Sequence, residues 1–169
     1  MDVEEAIRTR RTLKAFGQEP VPRETVEELL ELARWAPNHH VTEPWRFRVV
    51  GPETLARLKE AAGPEAASKL ERAPTLIVSS AVLTGDPECD EEDLHAVGVA
   101  TYIVLLAAHA RGLAGYWRTP AVLRTPEGCA AAGLEDNERF VGLIHLGAPR
   151  QGKEPPPRAE VPDFVSWLP

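Results

Sequence analysis

Four basic side chains, Arg8, Arg10, Arg11 and Lys14, fall close together near the start of an otherwise acidic chain. With Thr12 among them, guanidinium forks and a hydroxyl can converge on one oxyanion, which suits a small anion such as phosphate. The same charges could instead be a solvated run pairing with Glu4 and Glu5. A second group lies between two prolines, in Ala36-Pro37-Asn38-His39-His40-Val41-Thr42-Glu43-Pro44-Trp45-Arg46-Phe47. Asn38, His39, His40, Thr42 and Glu43 there donate and accept hydrogen bonds toward a flat polar ligand, as befits the rim of a binding site. Paired histidines on a polar loop are also commonly no more than solvated. A third group is Trp117-Arg118-Thr119. An arginine aimed at a ring system stabilises negative charge that develops on the ring; the alternative is an arginine stacked on the neighbouring indole.

The elements that must position these groups can be read in chain order. Asp2 and Glu5 resemble a capping pair for a short first helix that ends in the basic cluster. A second helix runs from Pro22 with acids in its first turns and apolar Val26, Leu29, Leu30 and Ala33 at helical spacing. It delivers Trp35 to the loop and stops near Ala36, because each proline disfavours helix in the residue before it. Trp45, Phe47 and Val49 then alternate with Arg46 and Arg48, a strand with one face in the core.

Pro52 to Ala62 and Glu65 to Arg72 read as two short charged helices broken at Gly63-Pro64. Thr75 to Leu83 is a nearly continuous apolar, β-branched run and should be a strand central in the sheet. Asp90 to Asp93 opens a long helix reaching about Arg111 and closed by Gly112. Val97 to Ala108 is apolar on nearly every side, so it must be buried all round, by a second subunit or by the sheet and N-terminal helices alone. A short strand and turn carry Leu113 to Pro120, and Phe140 to Gly147 is the last strand. The proline-rich segment from Pro149 ends in apolar Phe164, Val165, Trp167 and Leu168 and is expected to dock rather than wave in solvent.

A chain of 169 residues with 43% hydrophobic content suits a single domain with a sizeable core. Its formal charge of −7 argues against a general nucleic-acid or membrane-surface binder. The apolar run Ala96 to Ala108 falls short of the ~20 apolar residues that cross a bilayer, and the N-terminus has no signal-peptide pattern, so a cytoplasmic protein is expected. Cys89 and Cys129 form no C-x-x-C pair, which disfavours a zinc ribbon or redox pair. The glycine fingerprints of Rossmann and P-loop domains are absent, as are the zinc deaminase and G-x-S-x-G signatures.

Taken together, Arg10-Arg11-Thr12, Ala36-Pro37-Asn38-His39 with Glu43-Pro44-Trp45-Arg46-Phe47, Trp117-Arg118-Thr119, and Leu146-Gly147-Ala148-Pro149 resemble the nitroreductase family of FMN-dependent NAD(P)H oxidoreductases, in particular its short members. The resemblance spans nearly the whole chain. It implies an α+β fold with a central, mostly antiparallel sheet flanked by helices, in a homodimer with FMN at the dimer interface. It implies one domain over residues 1–169, with residues 149–169 as a tail docking on the partner subunit. Arg10, Arg11 and Thr12 match residues that hold the FMN phosphate, Thr12 standing where serine is more frequent. Trp117, Arg118 and Thr119 match residues along the flavin ring, and Trp35 and His39 match positions reaching the flavin from the other subunit. His40 is then expected at the substrate, and Arg158 near the phosphate, although the segment around Arg158 departs from the family pattern. No side chain is expected to act as nucleophile: flavin N5 carries the hydride from NAD(P)H to a small electron-poor acceptor such as a nitroaromatic or quinone, in a ping-pong sequence, and Arg118 tunes the ring. The competing expectations are a flavin-binding dimer with another acceptor chemistry, such as dehalogenation or flavin breakdown, and a dimer with no catalytic role.

Overall fold

The strand Thr75–Val82 (β2) is buried along almost its whole length, as its unbroken apolar pattern requires, and the sheet is built around it. The computed structural model describes residues 1–169. β2 pairs antiparallel with Trp45–Val49 (β1) on one side and with Glu138–Gly147 (β4) on the other. Ala114–Arg118 (β3) pairs antiparallel with β4, so the order is β1-β2-β4-β3 and every pairing of the four strands is antiparallel.

Helices cover both faces of this sheet. The long helix Pro87–Ala110 (α5) and Arg23–Ala33 (α2) pack Val26, Leu29, Ala100 and Val104 onto Ile77 and Ile144. The opposite face buries Leu58 of Pro52–Ala62 (α3), with Leu70 and Leu123, against Leu76, Val78 and Leu143. The first helix, Val3–Thr9 (α1), lies against α5, with the Asp2 carboxylate accepting from the Glu5 N–H at 2.8 Å.

The long helix differs from its expected form in two ways. It begins at Pro87, before the expected Asp90, because the Asp86 side chain caps the Glu88 and Cys89 N–H groups. Asp90 instead turns back to accept from Thr84 and Gly85, bonds that hold its carboxyl below the usual range. By length and hydropathy α5 could also cross a bilayer, yet half of that apolar stretch is buried inside the fold, so it is the core helix. Leu94, Gly98, Val99 and Tyr102 stay partly open on its outer side.

Smaller departures have local causes. The second charged helix is only Pro64–Ala67 (α4), since the residues after it form turns. Ala121–Arg124, a 3-10 turn, and Pro126–Ala131 (α6) add to the expected elements; Thr125 caps α6 by accepting from the Gly128 N–H at 3.1 Å and Pro126 opens it. Val49, expected in the core with Trp45 and Phe47, is exposed at the end of β1. Arg48 reaches from β1 across β2 to Glu138 on β4 with a two-pronged contact at 2.6 and 2.8 Å, and Ser80 donates to the same carboxylate. Burial alone would raise the Glu138 pKa, but these bonds outweigh it and hold the carboxyl below its ordinary range.

Candidate functional site

The basic bend after α1 is docked on both the sheet and α5. Thr12 forms a parallel backbone bridge to Gly115 of β3, and the Leu13 N–H donates to the Gly115 carbonyl at 3.4 Å. On the other side the Arg10 guanidinium lies 5.7 Å from the centre of the Tyr102 ring, a cation over an aromatic face. Thr9 donates its one hydroxyl proton to the Glu5 carbonyl at 2.6 Å, so His109, 2.8 Å away, must donate to it through Nε2. Burial, and after it the charges of Arg10 and Arg11, holds His109 below the ordinary histidine range.

This bend has donors to spare. None of Arg8, Arg10, Arg11 and Lys14 is paired with a carboxylate, so the reading as an ion-paired run with Glu4 and Glu5 does not describe the fold. Arg11 turns one guanidinium nitrogen back to cap the Arg8 and Arg10 carbonyls at 2.7 and 2.8 Å. The Nε groups of both Arg10 and Arg11 are nevertheless buried without an acceptor. Two orphaned, charged donors at one bend are costly unless an anion meets them, and an anion is what the residue types suggest.

From Gly115 the strand β3 leads to the third group. Trp117 and Arg118 project to opposite faces of the sheet, as successive strand residues must. The Trp117 indole lies over Gly142, whose lack of a side chain makes room, and donates to the Val141 carbonyl at 3.3 Å. With Tyr102, Gly98 and Phe140 it lines an open apolar groove of about 740 Å³ along α5. Arg118 points the other way and donates to the Lys69 carbonyl at 3.0 Å beside Leu70 and Pro120, so it is not stacked on the indole. Thr119 accepts from Arg124 at 3.1 Å.

Arg118's face of the sheet also carries Tyr116 and His145, to which the sequence pattern assigns no role, and Lys14 of the basic cluster. The Lys14 ammonium sits 5.5 Å from the Tyr116 ring centre, and that ring is 5.5 Å from His145. His145 is fully buried with neither ring nitrogen bonded, and burial, then Arg118 and Arg72, pushes its pKa down to about 4. Lys14, Tyr116 and Arg118 therefore share one side of the sheet beyond the bend. The two-residue spacing of Tyr116 and Arg118 on a strand was the available signal.

The histidine loop is elsewhere. His39 Nδ1 contacts the Glu92 carboxylate at 2.5 Å, Thr42 donates to buried Asp93 at 2.6 Å, and Asn38 accepts from the Glu43 N–H at 2.9 Å. These bonds hold three non-glycine residues, His40, Val41 and Glu43, at φ of 52°, 54° and 46°. Each such conformation costs on the order of 1–3 kcal/mol, most for β-branched Val41, and such strain concentrates at binding sites. The His39 and His40 rings stack at 3.9 Å, and Trp35 stands 75% exposed near them in sequence. Glu92 and His109 sit about 17 residues apart on α5, roughly 25 Å at 1.5 Å per residue. One chain thus does not bring the loop to the basic bend. Arg158 is exposed in the tail, as are Phe164, Trp167 and Leu168.

A model of the Nitroreductase family matches residues 7–73, a span that takes in the basic bend, the histidine loop and Arg118's partner Lys69. A Bacillus subtilis (strain 168) protein named "Putative NAD(P)H nitroreductase YfhC" is 31% identical over 93% of this chain and 89% of its own. Among solved structures, a nitroreductase-like family protein from Bacillus cereus superposes with a TM-score of 0.90 at 23% identity, over 99% of this chain and 96% of that one. A Desulfovibrio desulfuricans protein described as "a putative nitroreductase in complex with FMN" is 28% identical, with a TM-score of 0.80 over 99% of this chain and 96% of that one. With the antiparallel α+β sheet and the four motifs in register, these likenesses establish that the chain belongs to the nitroreductase family.

Proposed function

We propose that this protein is an FMN-dependent NAD(P)H oxidoreductase, acting as a homodimer on small electron-poor acceptors of the nitroaromatic or quinone type. The observation that carries the reading is the pair of buried, unpartnered Nε donors of Arg10 and Arg11 at a bend bridged to β3. FMN fits this donor set: the phosphate is the anion those donors lack, and Lys14 and Arg118 add positive charge beyond the bend, on the sheet face opposite α5. From Gly115 to Arg118 is about 10 Å at 3.3 Å per residue, a span comparable to that between a flavin's phosphate and its ring.

FMN, when bound, would supply the hydride-transfer chemistry between NAD(P)H and the acceptor. Arg10, Arg11 and Thr12 would hold the phosphate. Arg118 would stabilise negative charge at the ring, and Trp117 and Thr119 would bound its edge. Trp35 and His39 come from the second subunit, since their own chain keeps them far from the bend, and His40 beside them faces the substrate. The tail of residues 149–169, with Phe164, Trp167 and Leu168 uncovered, docks on that subunit. Both substrates use one exposed face in turn, in the cytoplasm where the reductant is plentiful.

Adding FMN to the purified protein tests the reading. A flavin spectrum that survives gel filtration, bleaches with NADPH or NADH and returns with a quinone is expected. Failure to take up FMN would refute it, and intersecting rather than parallel double-reciprocal lines would exclude the two-step exchange.

A further inference from the structure

Where β3 ends and β4 continues, two arginines are left without a counter-charge. β3 covers only Leu143–Gly147 of β4, so the stretch Arg139–Val141 is an open edge facing Thr119. Beside it lies a recess of about 510 Å³ lined by Thr119, Leu123, Arg124, Glu138, Arg139 and Phe140 among others. Neither Arg124 nor Arg139 is in an ion pair, and the one acid present, Glu138, is already held by Arg48 and Ser80. Arg124 places one nitrogen on the Thr119 hydroxyl at 3.1 Å and keeps its other N–H groups free. Such a recess in a chain of net charge −7 is a local reversal of sign, not part of a basic surface. The half-buried Phe140 adds a ring wall on which a base can stack.

We infer that this recess seats a phosphoryl group of the nicotinamide reductant, with Arg124 and Arg139 as its specificity-determining pair. The inference rests on the proposed reductase reading, because Thr119 puts the recess next to the assigned edge of the cofactor. Planar forks favour arginine over lysine for phosphate, and two exposed forks give a salt-sensitive contact. The phosphoryl group is either the 2′-phosphate of NADPH or the pyrophosphate that both dinucleotides carry.

Titration of the purified protein with adenosine 2′,5′-bisphosphate and with ADP, for the wild type, Arg139→Ala and Arg124→Ala/Arg139→Ala, reads the recess without turnover. KM for NADPH and for NADH is then measured on flavin-loaded samples. Loss of one exposed charge-assisted contact should weaken binding roughly five- to tenfold in Arg139→Ala, and more in the double variant. Weakening confined to adenosine 2′,5′-bisphosphate and NADPH assigns the 2′-phosphate; equal weakening for ADP and both dinucleotides assigns the pyrophosphate; either supports the inference. Unchanged dissociation constants and KM values in both folded variants would overturn it. A protein that takes up no FMN would end the reductase reading, while the adenosine bisphosphate and ADP titrations would still report on the recess.

Discussion

His39 and His109 are fastened to opposite ends of one helix: His39 through Glu92 in the early turns of α5, His109 through Thr9 at its last turn. The separation of about 25 Å means that the histidine loop and the arginine bend of one chain cannot meet on one FMN. In the proposed homodimer, two antiparallel copies of the chain would bring the loop of each to the bend of the other. Co-expressing an Arg10→Ala chain with a His39→Ala chain should therefore yield mixed dimers with one intact site and half the flavin content at limiting FMN. Flavin content no higher than in either variant alone would contradict the shared site.

Removing the orphaned donors should loosen the cofactor. Arg10→Ala is expected to weaken FMN binding by on the order of 1.5–3 kcal/mol, about 10- to 100-fold, measured by quenching of flavin fluorescence. Arg11→Ala should also fray the end of α1, because Arg11 caps the Arg8 carbonyl in its last turn and the Arg10 carbonyl just beyond it. FMN affinity equal to wild type in both variants would remove these residues from the site.

The pairing of Trp117 with Gly142 gives a packing test. A Cβ at residue 142 would stand 2.1 Å from the indole nitrogen and 2.7 Å from its neighbouring carbon, so Gly142→Ala must push the ring off β4. Overpacking of this kind costs about 1–3 kcal/mol. A lowered Tm and a red-shifted tryptophan emission are expected; an unchanged emission would show that the indole is held elsewhere.

His145 gives stability a pH dependence with a definite sign. Its pKa of about 4 in the fold lies below the ordinary 6.5, so the unfolded chain takes up the proton first as pH falls. The stability attached to the neutral ring is full above pH 6.5 and is lost toward pH 4, about 3 kcal/mol in all. Urea unfolding at several pH values, compared with His145→Leu, reads this directly. The substitution should flatten the slope, and it also removes two unbonded buried nitrogens. An equal slope in both proteins would assign the effect to other groups.

Much of this was legible from residue pattern alone. The uninterrupted apolar run of β2 marked the central strand, and prolines and glycines bounded the long helix to within a few residues. The order of the strands was not legible, because antiparallel pairing across long connections depends on packing rather than on local pattern. The basic bend was visible as a charge cluster, but not its bridge to Gly115, which is a backbone contact. Lys14 was legible as part of that cluster, but not its seat on the Tyr116 ring, which depends on how the bend docks on β3. The strain at Val41 and Glu43 had no sequence signal, since neither residue type favours positive φ, whereas His40 is of a type enriched there.

The buried pair Arg48–Glu138 ties β1 to β4 across β2. Arg48→Ala leaves the Glu138 side chain, only 3% exposed, with Ser80 but no counter-charge, and should cost about 2–3 kcal/mol in chemical denaturation. A loss below ~1 kcal/mol would place this pair among surface ion pairs of little consequence.

Sedimentation equilibrium followed at the visible absorbance of the flavin tests the shared site most directly. The account predicts that the yellow species has twice the chain mass of 18.5 kDa, about 37 kDa, with one flavin per chain. A yellow species at the mass of a single chain would contradict it.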